Sequence, residues 1–380
     1  MRAGNALEQR LHTRLARLGA DGLLRSLRPP AGIDLASNDY LGFSTHSLLK
    51  QRMMEAVARE GCGSTGSRLL RGERESFAAI ERSFAAFKGT ERSLYFSSGY
   101  MANLAVLTSF PESGDVIYSD ERNHASLIDG IRLSGARRII FPHNNVEELA
   151  RRLQEETGPG QKFLVTESLF SMDGDMAPLA AYATLCRSSG TALIVDEAHA
   201  VGIYGEHGSG LVEAAGIGDD VFVSINTAGK ALGVSGAFVA GPPCAIDFLI
   251  QIARPFIFST AAPPPVAAAL DASLTLLASE PGRRETLRRR AAYLRERLSA
   301  AGIDIPAGSS QIIPIVIGEN GPAVAVSRDL QEAGFDVRAI RPPTVPPGTA
   351  RLRISVNVNL CEDVLNDFVA ALASAMRKFA

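Results

Sequence analysis

Short apolar runs recur between residues 92 and 240 and alternate with segments of helical pattern. The runs are SLYFS, DVIYS, RRIIF, KFLVTE, ALIVDE, VFVSIN and GAFVA, and segments such as MANLAVLTSF and VEELARRLQEE lie between several of them. Continuous apolar strands that alternate with helices are typical of a parallel sheet covered on both faces. We therefore predict a large α/β domain built on a mostly parallel, seven-stranded sheet.

The pattern changes after about residue 261. A long helical stretch, VAAALDASLTLLASE through RRRAAYLRERLSAAG, precedes the runs IIPIVI, FDVRAI and RLRISV and a closing helix. This order predicts a smaller α+β domain. At the other end, MRAGNALEQRLHTRLARLG has the pattern of an amphipathic helix, and ASNDYLGF is rich in turn residues. The predicted organisation is an N-terminal helix and arm at 1–45, a large domain at 46–270 and a small C-terminal domain at 271–380.

Composition narrows the classes of function. Hydrophobic residues make up 46% and charged residues 21% of the chain, and the net charge is -2. This balance allows a large core and gives no indication of a nucleic-acid or membrane partner. The four cysteines are far apart without metal-ligand spacing, which predicts no metal site and fits a reducing compartment. No apolar run approaches the roughly 18 residues of a membrane span, so we expect a cytoplasmic protein.

Polar residues follow several of the apolar runs, where ligands bind in open parallel sheets. TALIVDEAHA ends its run with Asp196 and, three residues later, His199. SSGYMANLAV places Gly99 before a helix, an arrangement that suits a phosphate, although a serine N-cap explains the same sequence. His124 and Ser171 follow two further runs. Each residue alone has an ordinary structural explanation, and only their shared position at strand ends indicates a site.

Two nucleotide-binding interpretations are weaker. DEAH at residues 196–199 suggests a helicase-type NTPase, which requires a G-x-x-x-x-G-K-[ST] loop. Lys230 is followed by Ala231, and Ser224 stands in place of the first glycine. GCGSTG matches a dinucleotide fingerprint, but the charged helical segment KQRMMEAVARE precedes it instead of the required strand. Neither an NTPase nor an NAD site is favoured.

The segment SINTAGKALGVSGAF surrounds Lys230 with small residues. This is either a solvated turn or a place where a bulky group lies against the amine. Together with the strand-end residues, it fits pyridoxal phosphate: Lys230 would bond to the aldehyde, and Asp196 would keep the pyridine nitrogen protonated so that the ring acts as an electron sink. The small neighbours would leave room for the ring and a substrate.

The segment RPPTVPPGTARLR combines prolines, which fix the backbone, with two arginines. It suits an arginine fork for a carboxylate, or a rigid connector with solvated arginines. Arg351 and Arg353 alternate with apolar residues and share one face of a strand. We expect Arg353 to bind an amino-acid carboxylate and Arg351 to be its solvated neighbour.

Nine motifs extend from about Arg25 to the C-terminus: SNDYLG, GSTGSRLLRG, SSGYMANLAVL, NHASLIDG, FSMDGDMAPL, VDEAHAVGIYGEHGSG, TAGKALGVSGAF, RPFIFSTAAPP and IRPPTVPPGTARLRIS. With these motifs the chain resembles the α-oxoamine synthases, fold-type I pyridoxal phosphate-dependent transferases with an aspartate-aminotransferase-like fold. These enzymes join an amino acid to an acyl thioester with loss of carbon dioxide. The resemblance implies an acyltransferase that works as a homodimer with active sites at the interface.

The form IRPPTVP is most similar to the biotin-pathway member of that family. It implies condensation of L-alanine with pimeloyl-CoA or a pimeloyl-carrier protein, releasing the thiol carrier and CO2. The alternative is a family member that uses glycine or serine and a different acyl-CoA.

The resemblance also implies roles for individual residues. Lys230, His124 and Asp196 are expected to be catalytic, with His124 stacked on the cofactor ring. The expected cofactor-binding residues are Gly99, Tyr100, His124, Ser171, Asp196, His199, Thr227 and Lys230. The expected substrate-binding residues are Asn38 and Arg353 for the amino-acid carboxylate, Arg25 and Thr344 for the acyl substrate, and Arg341 in support. Only about a dozen residues separate Arg25 from Asn38, where many members insert a small β-hairpin.

Overall fold

The computed structural model describes residues 5–378. Its helices, in chain order, are α1 (Ala6–Ala20), α2 (Ser47–Glu60), α3 (Glu75–Lys88), α4 (Gly99–Ser109), α5 (Ala125–Leu133), α6 (Val146–Glu155), α7 (Leu179–Ser189), α8 (Leu211–Ala214), α9 (Pro243–Ile252), α10 (Arg254–Ile257), α11 (Pro265–Ser279), α12 (Gly282–Ala300), α13 (Asn320–Glu332) and α14 (Glu362–Met376). Its strands are β1 (Ile33–Asp34), β2 (Arg92–Phe96), β3 (Val116–Asp120), β4 (Arg137–Phe141), β5 (Lys162–Glu167), β6 (Thr191–Asp196), β7 (Val221–Thr227), β8 (Ala237–Gly241), β9 (Ile312–Gly318), β10 (Phe335–Asp336), β11 (Ala339–Ile340) and β12 (Ala350–Ser355).

The chain divides into two compact units. The larger unit comprises Asn38–Ser171 and Asp175–Thr286. The smaller unit comprises Met1–Ser37, Met172–Gly174 and Leu287–Ala380. The predicted three-part division at residues 45 and 270 stays a prediction. The two compact units are defined by contacts and combine segments from different parts of the chain, so their bounds do not test it.

The larger unit contains a seven-stranded sheet in the order β2-β8-β7-β6-β5-β3-β4. β8 runs antiparallel to β2 and β7, whereas the neighbours from β7 to β4 pair in parallel. All seven apolar runs of the sequence form its strands, which confirms the predicted, mostly parallel sheet. The parallel strands bring their carboxyl ends to one edge, so the residues that follow them are collected there.

Separate apolar clusters pack in this unit because the central strands are buried on both sides. One cluster includes Val165 and Ile194 with residues of α4, α5 and α9, and the other includes Leu164 and Val195 with residues of α6 and α7. Adjacent residues of β5 and β6 enter opposite clusters, as the period of two requires. The continuous apolar pattern of these runs is thereby explained.

The smaller unit contains a three-stranded antiparallel sheet in the order β11-β12-β9, and β1 pairs in parallel with β10. The run FDVRAI, predicted as one strand, forms the two short strands β10 and β11. The long predicted helical stretch divides into α11 and α12 beside Pro281, whose missing N–H interrupts a helix. The predicted amphipathic helix near the N-terminus is α1, and residues 1–4 lie outside the described residues. Among the helices of residues 5–378, none is both long and apolar enough to cross a membrane.

Candidate active site

A line of hydrogen bonds in the larger unit begins at Lys230, just beyond the end of β7. Its Nζ lies 2.8 Å from Nε2 of His199. Nδ1 of His199 lies 2.8 Å from the hydroxyl of the buried Tyr40, and that hydroxyl lies 2.9 Å from Oδ1 of Asn38. Three predicted site residues are thus connected through a fourth residue, Tyr40, which no sequence motif singled out.

This line determines which nitrogen of His199 carries a proton. Oδ1 of Asn38 can only accept, so the single hydroxyl hydrogen of Tyr40 is donated to it. In this arrangement the Tyr40 oxygen accepts the Nδ1–H of His199. In the neutral tautomer with its proton on Nδ1, His199 offers Nε2 as an acceptor to the amine of Lys230, 2.8 Å away. The geometry therefore presents a hydrogen-bond acceptor directly beside the lysine.

Asp196 ends β6 and is only 5% exposed. Its Oδ2 accepts from Nδ2 of Asn103 at 2.8 Å, and its Oδ1 accepts from the backbone N–H of Ala198 at 2.9 Å. Two donors thus hold both oxygens of a buried carboxylate, which otherwise would be expensive to desolvate. A carboxylate fixed in this way can pair with a cationic nitrogen of a ligand.

His124 lies near this carboxylate and connects to it through other side chains. It is the N-cap of α5, and its Nδ1 lies 2.8 Å from Oγ of Ser126. The same Ser126 oxygen accepts from Nδ2 of Asn103, which also donates to Asp196. Burial lowers the pKa of His124, the positive charge of Lys230 lowers it further, and the charge of Asp196 acts in the opposite direction. The ring is therefore favoured in its neutral form.

The start of α4 lies against the end of β7. A Cβ atom at Gly99 would come within 2.5 Å of Oγ1 of Thr227, so only glycine allows this approach. Ser98 is the N-cap and accepts from the N–H of Met101 at 3.2 Å, which confirms the capping alternative for this serine. The other first-turn N–H groups of an α-helix, including that of Tyr100, have no partner within the helix. The arrangement joins a helix N-terminus and a hydroxyl, which is suited to a phosphate.

Glu167 is a buried carboxyl that was not among the predicted site residues. It ends β5 directly beside Asp196 in the register of the parallel strands, and it is 3% exposed. Burial raises its pKa to about 8 and the charge of Asp196 contributes, while Lys230 and the backbone N–H groups of His124 and Ser171 act in the opposite direction. Two neighbouring buried carboxyls cannot both ionise at low cost, so Glu167 holds its proton near neutral pH.

Two further predicted residues of the larger unit have simple surroundings. Ser171 is buried in the segment between β5 and α7. Tyr100 is exposed, and its hydroxyl donates to the carboxylate of Asp129. Its side chain therefore has a partner on α5, which leaves its backbone N–H as the group relevant to the predicted site.

In the smaller unit the structure brings together the three residues predicted to bind an acyl substrate. Arg25 donates from Nη2 to the carbonyl of Pro342 at 3.0 Å, and Arg341 donates from Nη2 to the carbonyl of Leu24 at 3.3 Å. Thr344 donates its backbone N–H to the carbonyl of Arg341 at 3.1 Å. Desolvation, with the nearby charge of Arg25, lowers the pKa of Arg341. The short segment before Asn38 thus keeps Arg25 against the proline-rich loop.

The expectation that Arg351 is a solvated neighbour of Arg353 is wrong. Arg351 is 6% exposed, and its Nη1 lies 2.7 Å from Oδ1 of Asp173. Arg353 is 7% exposed, and its Nη1 donates to Oγ of Ser355 at 2.7 Å. The period-two pattern correctly placed both side chains on one face of β12, but it could not show that Asp173, far away in sequence, meets one of them.

The site residues that were not predicted differ in how strongly the sequence indicates them. Glu167 ends an apolar run just as Asp196 does, so the same strand-end rule would have found it. Asn103 lies one helical turn after Gly99 in α4, a spacing that places both on one side of the helix. Tyr40 had no such signal, because its partner His199 is 159 residues away. Among residues 5–378, no cluster of three or more histidine, cysteine, aspartate or glutamate side chains could hold a metal ion.

The family described as aminotransferase class I and II matches residues 30–372, and the chain therefore belongs to it. This is the family of fold-type I pyridoxal phosphate enzymes, as the sequence analysis expected.

Curated relatives that match nearly the whole chain indicate the group within that family. An 8-amino-7-oxononanoate synthase of Geobacter sulfurreducens is 45% identical over 374 residues, which cover 94% of this chain and 96% of the relative. One of Alkalilimnicola ehrlichii is 42% identical over 391 residues, with 99% and 100% covered. These similarities confirm the α-oxoamine synthase resemblance and the acyltransferase class.

Solved structures agree on the fold. A serine palmitoyltransferase of Sphingomonas wittichii is 30% identical with a TM-score of 0.92, and 99% of each chain is covered. An 8-amino-7-oxononanoate synthase of Francisella tularensis is 29% identical with a TM-score of 0.79, covering 92% of this chain and 98% of that one. Another serine palmitoyltransferase, 28% identical with a TM-score of 0.91 over 99% of both chains, contains pyridoxal phosphate (PLP).

PLP is the cofactor of this family, and the residues of the larger unit fit it. They include an amine, a buried carboxylate held by two donors, and a helix N-terminus beside a hydroxyl. These groups match an aldehyde, a pyridine nitrogen and a phosphate in chemical type. Enzymes of this kind take an amino acid and an acyl thioester as substrates.

Proposed function

We propose that the chain condenses L-alanine with the pimeloyl group of pimeloyl-CoA, or of a pimeloyl-carrier protein, to give 8-amino-7-oxononanoate. The carboxylate of alanine leaves as CO2 and the thiol carrier is released. The product is an intermediate of biotin synthesis. The names and high coverage of the curated relatives support this choice of substrates.

Eight residues of the larger unit are proposed to hold the cofactor. Lys230 would bind its aldehyde, Asp196 its pyridine nitrogen, and His124 one face of its ring. Gly99 and Tyr100 would donate backbone N–H groups, and Thr227 a hydroxyl, to its phosphate. His199 and Ser171 would lie near its ring oxygen. The burial of Asp196 and the close approach of Gly99 to Thr227 support this assignment.

The side chains of the site would then divide the work of proton transfer and charge stabilisation. When bound, PLP supplies an electron sink for negative charge at the alanine Cα. Lys230 removes the Cα proton and later returns one to the product. Asp196, held by Asn103, would stabilise positive charge on the ring nitrogen. His124, whose pKa is lowered by burial, would pack against the ring in its neutral form without adding a competing charge.

Two sets of residues are proposed to recognise the substrates. Asn38 and Arg353 would bind the alanine carboxylate, and the planar guanidinium of Arg353 suits a bidentate contact. Arg25 and Thr344 would bind the acyl substrate with support from Arg341. Arg25 donates to the proline-rich loop at Pro342, and Arg341 of that loop donates to Leu24 beside Arg25, which supports their common role.

The observation that carries the proposal is the contact of 2.8 Å between Lys230 and His199, in the same unit as the buried Asp196. The direct test mixes the purified protein with PLP, alanine and a panel of acyl-CoAs of different length, and identifies products by mass. We expect 8-amino-7-oxononanoate from the pimeloyl thioester. A panel without any condensation product would contradict the proposed reaction.

One alternative has a specific observation in its favour. The serine palmitoyltransferase structure superimposes with a TM-score of 0.92, above the 0.79 of the 8-amino-7-oxononanoate synthase structure. The fold therefore does not choose between serine and alanine. Offering alanine, glycine and serine in parallel decides the question, and we expect alanine to have the highest kcat/KM.

The chain is also proposed to act as a homodimer. Large apolar side chains of the larger unit are exposed in the single chain, including Leu70 at 85% and Phe258 at 71%. Surfaces of this kind favour association. Sedimentation or light scattering of the purified protein should give twice the mass of the chain, and a stable monomer would contradict the dimer.

A further inference from the structure

A partly buried histidine outside the proposed cofactor site joins the ends of β3 and β4 to the segment that follows β5. His143 follows β4, and its side chain is 10% exposed. Its Nδ1 lies 2.9 Å from Oδ1 of Asp120, the last residue of β3, and its Nε2 lies 2.6 Å from Oδ2 of Asp175, in the segment after β5. A carboxylate can only accept, so both ring nitrogens must donate and the ring is an imidazolium.

The contacts of His143 with Asp120 and Asp175 form a bridge with two arms, and the arm through Asp120 leads to His124. Oδ1 of Asp120 also accepts the backbone N–H of Arg122 at 2.8 Å, and the carbonyl of Asp120 accepts the N–H of Asn123 at 3.2 Å. Asn123 in turn donates from Nδ2 to the carbonyl of Val165 at 2.8 Å. These bonds shape the turn that ends at His124, the N-cap of α5. The orientation of His124 is therefore set by the turn that Asp120 closes.

The other arm leads to Ser171. Asp175 accepts the N–H of Phe170 on its backbone carbonyl at 2.9 Å, which closes the segment that contains Ser171. The ring of His143 lies edge-on to Phe170, with centroids 4.4 Å apart and an interplanar angle of 87°. His143 thus contacts both ends of this segment, one through a carboxylate and one through an aromatic ring.

The neighbouring residue fixes the bridge in place. Asn144 has a φ of 54°, in the left-handed region that non-glycine residues rarely adopt. Its backbone N–H donates to Oδ2 of Asp120 at 2.9 Å, and its Nδ2 donates to Oδ2 of Asp175 at 3.0 Å. Both carboxylates are thus bound by two consecutive residues, and the backbone accepts an unfavourable conformation to allow it.

The charges around the ring favour its cationic form. Burial alone would lower the pKa of His143, but its hydrogen bonds to Asp120 and Asp175 and their negative charges raise the pKa to about 9. The other titratable groups that face the cluster are Glu121, which accepts the N–H of His143 at 3.1 Å, Arg122, whose charge lowers the pKa of Asp175, and the buried hydroxyl of Tyr182. A neutral ring would leave two carboxylates with one donor fewer between them.

We propose that His143 is a positioning residue: as an imidazolium between Asp120 and Asp175, it holds the turn before His124 and the segment around Ser171 in one fixed arrangement. The bridge acts on the cofactor site only through these two segments. The inference rests on the proposed roles of His124 and Ser171 in binding PLP.

The test compares the full-length chain with His143→Gln, and with His207→Gln as the matched control. His207 also pairs with a carboxylate, Oε1 of Glu213 at 2.7 Å, but its side chain is 75% exposed. Hydrogen–deuterium exchange is followed in segments 119–126 and 168–177. PLP affinity is measured by fluorescence titration at about pH 7 and about pH 10, on either side of the raised pKa of His143.

With His143→Gln we expect faster exchange in both segments and PLP affinity lower by about ten- to a hundredfold at the lower pH, the size seen when a residue that orients a metal ligand is removed. The difference from the wild type should close at the higher pH, where the wild-type ring has lost its proton. His207→Gln should leave both segments and the affinity unchanged. Asp175→Asn, which breaks one arm only, should raise exchange in 168–177 and leave 119–126 protected.

The proposal is overturned if His143→Gln exchanges like the wild type in both segments, or if it loses protection uniformly across the chain, which would indicate general destabilisation. Equal PLP affinity at the lower pH would also overturn it. If His143→Gln does not fold, Asp175→Asn provides the test. Unchanged exchange of segment 168–177 in that variant would then overturn the proposal. These measurements need neither alanine nor an acyl thioester, so they remain informative if the proposed reaction fails.

Discussion

The residues proposed to hold the cofactor and those proposed to bind the acyl substrate are held in different ways. In the larger unit, side chains from separate strands and helices hold one another, as Asn103 holds Asp196. In the smaller unit, Arg25 and Arg341 donate to backbone carbonyls of nearby loops. A network tied to sheet register fixes atoms for chemistry, whereas arginines on loops can adapt to a substrate. We therefore expect substitutions in the larger unit to remove catalysis, and substitutions in the smaller unit to change substrate affinity.

The largest expected effect is that of Lys230→Ala. The protein should fold and lose covalently held PLP together with all turnover, because Lys230 lies among small residues and contributes chemistry more than packing. Borohydride reduction of the wild type followed by peptide mass spectrometry should locate the trapped cofactor on Lys230. Lys50→Ala, at an exposed position of α2, is the control and should behave like the wild type. Trapping on a different lysine would contradict the assignment.

Asp196→Asn should reduce catalysis by several orders of magnitude while the fold persists. The contact of a buried carboxylate with a cation is worth about 1.5–3 kcal/mol as a simple hydrogen bond. Its larger effect is on charge that develops only during the reaction. Exchange of the alanine Cα proton with solvent, followed by NMR, measures this step without the acyl substrate. Near wild-type exchange in the Asn variant would show that Asp196 does not serve the ring nitrogen.

Arg353→Lys tests the smaller unit. Lysine lacks the planar fork, so the KM for alanine should rise roughly ten- to a hundredfold, about 1.5–3 kcal/mol of binding, while the KM for the thioester changes much less. Arg338→Lys is the matched control, because Arg338 is a partly exposed arginine of the same unit that pairs with Asp336 at 2.6 Å. An effect confined to the thioester would remove Arg353 from the amino-acid site.

Arg351 cannot serve as that control, because it is buried against Asp173. Its substitution would lower stability by disturbing an ion pair, and a change in KM could then have two causes. The two arginines of β12 therefore have different roles. Arg351 is paired with Asp173, and Arg353 is proposed to bind the substrate.

The smallest expected effect concerns the pH dependence of stability in the larger unit. The pKa of Glu167 is raised to about 8 by burial and by Asp196, whereas in the unfolded chain it is near the usual 4.5. Between about pH 4.5 and pH 8, the folded apoprotein therefore binds one proton more than the unfolded chain. The contribution of protonated Glu167 to the free energy of unfolding is full below about pH 4.5 and is lost as the pH rises to about 8. Glu167→Gln should remove this decline.

Melting temperatures of the apoprotein measured across that pH range check this point. Relative to the wild type, Glu167→Gln should gain stability at the alkaline end and little at the acidic end. A parallel shift at every pH would mean that the carboxyl titrates normally in the folded protein.

Much of the larger unit could be read from the sequence because a single physical rule governs it. Apolar runs must be buried on both faces, so they become central strands, and the polar residues at their ends collect at one edge of the sheet. This rule predicted seven strands and directed attention to Asp196, Lys230, His124 and Gly99. Applied once more, to the end of KFLVTE, it would also have found Glu167.

The sequence by itself determined which residues end strands and, through the period of two, which face of β12 carries Arg351 and Arg353. Only the tertiary structure decided their partners. Tyr40 meets His199 across 159 residues, and Arg351 meets Asp173 across 178. The physical reason is that periodicity along one element states which side is buried, whereas a partner depends on the register and folding of a distant segment, which no local pattern encodes.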